Sequence, residues 1–330
     1  MSKVLAWGVL STANIGITKV IPAMQKSSLL QVAAIASRRL QAAREAADRL
    51  GIDKAYGSYE ELLADPDIDI IYNPLPNHLH VPWTIKAMEA GKHVLCEKPI
   101  ALNEADARQL VKVRDRTGKQ VVEAFMVRHH PQWLRSREIA RSCALGDVRV
   151  MNAFFSYFLT DPANVRNQAD IGGGGLYDVG CYAIASGRYI FEREPERVIG
   201  FIERDPQLGT DRLTSGIVDF GGGARLLFTC STQLARYQQV DVCGTRGRLR
   251  MELPFNPDSA SPAEILIVDE AGQRVERMPA VDHYQLQAEA FGHAVETGGP
   301  VEFPIEDAVA NMRVIDAIFR STVSQSWEVL

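Results

Sequence analysis

Between residues 8 and 16 the chain places small side chains where a tight turn would leave a strand: Gly8, Ser11, Ala13 and Gly16. A turn of that kind lets backbone N–H groups and a helix start approach a pyrophosphate. The three glycine positions of the GxGxxG pattern read Ser11, Ala13 and Gly16, so phosphate contacts are expected from Ser11, Thr12, Ala13, Asn14 and Ile15. About twenty residues further on, an NAD site commonly carries an acidic side chain for the ribose hydroxyls. Here the chain carries Ser37, Arg38 and Arg39 instead. A guanidinium pairs with a 2'-phosphate through charge-assisted hydrogen bonds, which favours NADP, with NAD as the alternative. The competing roles are Arg39 as a solvated residue at a helix start and Arg38 stacked on adenine.

Other residues are placed to work beside such a cofactor. Asn73, Pro74, Asn77 and His78 follow an apolar strand, and ligands of open parallel sheets gather beyond the carboxyl ends of the strands. His78 and His80 are two residues apart, so a helix would point them in different directions and no metal site is expected. Asp178 and Tyr182 stand four apart in a helical stretch, on one face, where an ordinary polar surface is the competing explanation. Arg128, Tyr157, Asn164 and Arg166 offer the donors and acceptors that a sugar's hydroxyls need; domain docking or loop structure would explain them equally well.

These residues need elements to hold them. Apolar segments at 3–10, 31–36, 68–72, 93–96 and 120–124 alternate with helical patterns near 40–50, 78–89 and 103–116, the appearance of βαβ units around a parallel sheet. After residue 124 the rhythm changes. A helix near 131–141, a strand near 147–158, a glycine turn at 172–175 and a helix from Tyr177 to Tyr189 precede strand candidates at 197–204, 211–220, 224–232, 238–243, 247–252 and 263–268. Helices near 284–296 and 305–322 close the chain. The expectation is an α/β protein with a Rossmann domain at 1–123 and, at 124–330, a substrate and oligomerisation domain on a large, mostly antiparallel open sheet. The final helix is a candidate to pack back toward the first domain.

With 330 residues the chain can build its cores without a disulfide or metal staple. The 36 Lys plus Arg against 41 Asp plus Glu leave a net charge of −5, which gives no broad electrostatic reason to bind nucleic acid. Five cysteines, widely spread, form no zinc or redox pattern. The opening residues lack the features of a secretory signal and no stretch has the length of a membrane span, so a cytoplasmic protein is expected.

The nucleotide turn, Cys96–Glu97–Lys98–Pro99 and the run GGGGLYDVGCY at 172–182 together resemble the glucose-fructose oxidoreductase, inositol dehydrogenase and MocA superfamily, over essentially the whole chain. The resemblance implies that Glu97 and Lys98 border the cofactor, and that Lys98 faces both nicotinamide and substrate. It assigns Asp178 to binding or polarising the substrate and puts Tyr182 where related dehydrogenases often carry His. The tyrosine form resembles the aldose, xylose and dihydrodiol dehydrogenase branches. It implies a small sugar or cyclic diol as substrate, and a homodimer or homotetramer formed through the carboxy-terminal sheet. On chemical grounds Tyr182 is the expected acid/base, with Lys98 as the stabiliser of its phenolate and a candidate proton partner, and Asp178 is expected either to hold a substrate hydroxyl or to tune the lysine. Pro99 makes a rigid turn after Lys98, through a cis or a trans bond.

Overall fold

The computed structural model describes residues 4–330. The chain forms two compact units, one running to Met126 and including His283–Val309, the other made of Val127–Asp282 and Ala310–Leu330.

In the first unit six strands, β1 (Ala6–Leu10), β2 (Gln31–Ala36), β3 (Lys54–Tyr56), β4 (Ile70–Asn73), β5 (His93–Cys96) and β6 (Val121–Glu123), form a sheet ordered β3-β2-β1-β4-β5-β6. All neighbours are parallel. Helices cover both faces of such a sheet, so its strands read as continuous apolar runs: Trp7, Val9, Ile35, Ile70, Tyr72 and Leu95 are all buried. The order reverses between β1 and β4, which opens a crevice at the carboxyl ends of the strands. Gly8 lets the helix Tyr59–Ala64 approach: a Cβ there would lie 2.8 Å from Leu62 Cδ2. β3 escaped the sequence reading because three half-buried residues, Lys-Ala-Tyr, carry no periodic signal.

The helix His283–Thr297 also belongs to this unit, where Ala288 and Phe291 join its core and the Phe291 ring meets Trp7 edge-on at 6.0 Å. This differs from a second domain running unbroken over 124–330. The apolar face of the penultimate helix is buried on the first sheet, and the last helix, Ile305–Ser324, contributes only its first turn, through Val309, to the first unit.

The second unit is built on nine strands: β7 (Val148–Phe158), β8 (Arg197–Arg204), β9 (Asp211–Asp219), β10 (Arg225–Ser231), β11 (Gln233–Gly244), β12 (Arg248–Met251), β13 (Ala263–Asp269), β14 (Gly272–Met278) and β15 (Glu328–Val329). Their order is β14-β13-β12-β11-β7-β10-β9-β8-β15. Neighbours are antiparallel except for the parallel pair β7 and β10. β14 was not anticipated because its sequence, GQRVERM, is mostly charged and exposed, as suits a strand at a sheet edge.

The helix expected from Tyr177 to Tyr189 is longer and of two kinds. Leu176–Gly180 forms a widened turn, closed by the Cys181 amide on the Leu176 carbonyl, and Cys181–Phe191 continues as α-helix with Cys181 to Ile190 all buried. Its apolar run Cys-Tyr-Ala-Ile-Ala has no polar stripe because the helix is covered on every side.

Candidate active site

In the first unit the turn after β1 stays tight although Ser11 and Ala13 replace the first two glycines of the pattern. Ser11 sits at φ +73, a left-handed conformation that glycine adopts at no steric cost, and its hydroxyl accepts from the Ala13 amide at 3.2 Å. The helix then starts with a widened turn over Gly16–Val20, and among the described residues no side chain caps that start. Thr12, Ala13 and Ile15 are half-buried and Asn14 is exposed.

Beyond β2 the Ser37 side chain is buried and accepts from the Arg39 amide at 3.4 Å. Arg39 is the cap position of the helix Leu40–Leu50, the competing role considered above. Arg38 is exposed beside Tyr59; burial raises that phenol and the Arg38 guanidinium pulls it back.

Asn73 is fully buried and its side chain is taken up locally, donating to the His80 carbonyl at 3.2 Å and to Thr84 Oγ1 at 3.1 Å while accepting from the Leu75 amide. It shapes the loop holding Pro74 and Asn77. His78 lies in the short turn Asn77–Leu79, with a buried Nδ1 that has no hydrogen-bond partner among the described residues.

The Lys98–Pro99 bond is cis. His80, 1% exposed, stands 2.7 Å from the Pro99 carbonyl through Nδ1 and 2.6 Å from the Leu75 carbonyl through Nε2, tying the turn after Lys98 to the loop after β4. Burial pulls its pKa to about 4, so at neutral pH the ring has one proton to donate. Glu97 accepts from the Tyr72 hydroxyl at 2.6 Å, and burial followed by the Glu97 charge raises that phenol far above its ordinary value. Tyr72 and His80, which sequence reading passed over, thus hold the residues on either side of Lys98.

In the second unit the donors expected on the substrate side separate. Asp178 Oδ2 accepts from the Tyr157 hydroxyl at 2.5 Å and from Arg166 Nε at 3.1 Å. Burial first, and then the Asp178 charge, raise the Tyr157 phenol well above its ordinary value, so it stays a donor. Asn164 instead serves the backbone, where its side chain accepts from the Arg166 amide at 3.1 Å and caps the short turn Val165–Asn167. Arg128 is buried in the turn Met126–His129, and burial together with the Arg128 charge lowers His129 to about 4. Tyr182 is 6% exposed, with its ring against Phe155 at 5.7 Å and Phe255 at 5.6 Å.

The glycine run before this helix is dictated by contact. A Cβ on Gly173 would lie 2.6 Å from the Arg166 carbonyl oxygen and 2.7 Å from that of Gln168, and one on Gly174, at φ +126, would overlap the Asp211 carboxylate. Asp211 was invisible in the sequence because the amide it bonds lies 35 residues away; a glycine run pressed by something bulky was the one available signal.

The profile described as "Oxidoreductase family, NAD-binding Rossmann fold" matches residues 5–125, and that of the GFO/IDH/MocA C-terminal domain matches residues 133–250. The NADP-dependent D-xylose 1-dehydrogenase 2 of Haloferax volcanii is 39% identical over 318 residues, 96% of this chain and 97% of that one. The chain belongs to the GFO/IDH/MocA oxidoreductase family. Within that family the trans-1,2-dihydrobenzene-1,2-diol dehydrogenase of Mus musculus is 34% identical over 281 residues, covering 84% of this chain and 81% of its own. A 3-ketoreductase from Actinomadura kijaniata, solved with NADP and TDP-benzene, superposes with a TM-score of 0.91 at 29% identity, over 97% of this chain and 98% of that one. It has also been solved with a single tyrosine replaced by phenylalanine and, separately, with a single lysine replaced by alanine.

Proposed function

We propose that this family member oxidises C1 of an aldose such as xylose or glucose, with NADP as hydride acceptor. The observation that carries the reading is the Tyr157–Arg166–Asp178 cluster, with Tyr182 four residues on in the same helical segment: it joins a hydroxyl-binding carboxylate to a candidate acid/base. Two donors on Asp178 Oδ2 fix the rotation of the carboxylate, which can then accept from a sugar hydroxyl. The residues at the first turn and after β2 fit the cofactor: Ser11 keeps the turn tight, no side chain among the described residues caps the helix start, and Arg38, with no acidic neighbour in Ser37–Arg39, suits a 2'-phosphate.

When bound, the nicotinamide supplies hydride acceptance and return. The chain must move the accompanying proton. As the carbinol carbon becomes a carbonyl its hydroxyl proton has to leave, and Tyr182 takes it as general base. The Lys98 ammonium stabilises the phenolate form of Tyr182 electrostatically. In reduction the same groups run backwards, with Tyr182 as the acid. The lysine and the tyrosine replaced in the Actinomadura enzyme are separated by the same number of residues as Lys98 and Tyr182, which supports assigning the chemistry to this pair.

A trans-dihydrodiol or other cyclic polyol is the second reading, favoured by the mouse relative. We also infer that a second copy of the chain covers the outward face of the large sheet, in a homodimer or homotetramer, because Phe201, Leu227 and Tyr237 are exposed there. None of the five cysteines forms a disulfide, which suits a reducing cytoplasm.

The test is an initial-rate panel of aldoses, cyclic polyols and dihydrodiols with NADP and with NAD, read by reduced-nicotinamide absorbance. Turnover of aldoses with NADP is expected. Turnover only of dihydrodiols selects the second reading, and tight NADP binding with no redox change across the panel overturns both in favour of a nonenzymatic nicotinamide-binding regulatory protein.

A further inference from the structure

Asp211 opens β9 and is 1% exposed. Its Oδ2 accepts from the Leu176 amide at 2.6 Å and from the Thr214 hydroxyl at 2.9 Å. Leu176 begins the widened turn that carries Asp178, and Gly175 before it has no side chain to cap it. The first amides of a helix lack internal partners, and an oxygen that takes one of them stabilises the start. Here the oxygen comes from a strand of the sheet. The cap therefore does more than end a helix: it ties the start of the helix to β9, and the glycine at 174 is what lets the carboxylate come so close.

We propose that Asp211 is a positioning residue, a remote amino-terminal cap that sets where the helix presents Asp178 and Tyr182; the inference rests on the roles proposed for those two residues. It does not touch the substrate. Its influence runs through the Leu176 amide: Leu176 is two residues before Asp178 in the same widened turn, so a shift of the carboxylate moves that turn with it. A displacement of about 1 Å at a reacting group can cost on the order of 100-fold in rate.

The chemistry of the cap favours a hydrogen-bond role over a purely ionic one. Burial pushes Asp211 up to about 6 against the bonds from Leu176 and Thr214, and Arg204 is the cation acting on it. The other titratable neighbours are Cys230 on β10 and Tyr177 on the helix turn, both raised first by burial and both raised further by the Asp211 charge. A neutral acceptor of the same shape should therefore serve nearly as well.

The experiment compares Asp211→Asn, Asp211→Ala, Thr214→Val and Tyr182→Phe in the full-length protein. Asp211→Ala is expected to lower kcat by about 100-fold while the Kd for NADP stays unchanged, and Asp211→Asn to restore most of the loss. Amide hydrogen exchange at residues 176–180 should speed up in Asp211→Ala and stay as in the wild type in Tyr182→Phe. A folded Asp211→Ala with normal kcat, or an Asn variant as slow as the Ala variant, overturns the proposal. Should Asp211→Ala not fold, Thr214→Val, which removes one donor, is expected to lower kcat a few-fold with an unchanged circular dichroism spectrum; an unchanged kcat there overturns it too. If Tyr182→Phe retains the full rate, the assignment of Tyr182 fails, and the cap is then judged on exchange alone: equal protection in wild type and Asp211→Ala overturns it.

Discussion

Two helix starts in this molecule are built alike and occupied differently. The turn after β1 and the glycine turn before Leu176 both lead into a widened first turn, a feature that recurs at functional sites. At the first, among the described residues, no side chain caps the start, and the turn is held by Ser11 bonding its own neighbour. At the second, a buried carboxylate from β9 has already taken the leading amide. Both starts offer the same partial positive charge. The first is where we propose that a cofactor's phosphates bind, and the second fixes the helix that carries the proposed chemistry. A helix start therefore says little until its occupant is known.

The comparison can be broken by substitution. The largest effect is expected from Tyr182→Phe, which removes the proposed proton acceptor and should lower kcat on the order of 10²- to 10⁴-fold without changing the Kd for NADP. A wild-type rate would remove Tyr182 from the proton transfer. Next, Arg38→Ala should raise the KM for NADP by about 10- to 100-fold and leave that for NAD nearly unchanged, since hydrogen bonds to charged groups contribute ~1.5–3 kcal/mol. Equal changes for both cofactors would mean that Arg38 does not read the phosphate.

A subtler measurement tests the second start. Asp211 titrates near 6 in the folded chain, against 3.8 for an ordinary aspartate, so between those values the folded state binds the additional proton. Its contribution to stability is full below the unfolded pKa and is lost as pH rises through the folded one. Asp211→Asn lacks this slope. From about pH 4 to about pH 7 the variant should gain on the order of 2 kcal/mol relative to the wild type, read from urea unfolding at each pH. A difference that does not vary with pH would show that Asp211 titrates alike in the folded and the unfolded chain. The smallest effect belongs to the first start: Ser11→Gly relieves a left-handed serine but frees the unfolded chain and loses the bond to Ala13, opposing terms that should leave the unfolding free energy changed by less than about 1 kcal/mol. A loss of more than about 1 kcal/mol would mean that the serine hydroxyl matters more to the turn than its strain.

Much of the first unit was legible because its information is local. Apolar runs of strand length alternating with helical periods name a parallel sheet before any contact is known, and five of the six strands could be placed that way. The second unit was legible as strands but not as a sheet order. The parallel pairing of β7 with β10 joins strands far apart in the chain, Arg225 beside Val150 and Ser231 beside Ser156, and no period in the sequence carries that information. The site was legible by residue type and less so by role. Tyr157 and Arg166 meet on Asp178, whereas Asn164 caps a turn and Asn73 bonds the loop around it, because an amide side chain satisfies a nearby backbone group as readily as a ligand.

What the amino-acid order determined alone was the pair of architectures, the small-residue turn after the first strand, the arginines after the second, and the candidates Lys98, Asp178 and Tyr182. Each follows from neighbours in the chain, through periodicity, turn chemistry or motif. Tertiary structure alone decided that His283–Thr297 returns to the first core, that His80 and Tyr72 hold the residues flanking Lys98, and that Asp211 caps the helix of Tyr182. Those choices depend on which distant backbone groups are left without partners once the sheets have formed, and a polar side chain is committed only when burial makes leaving such a group unpaired too costly.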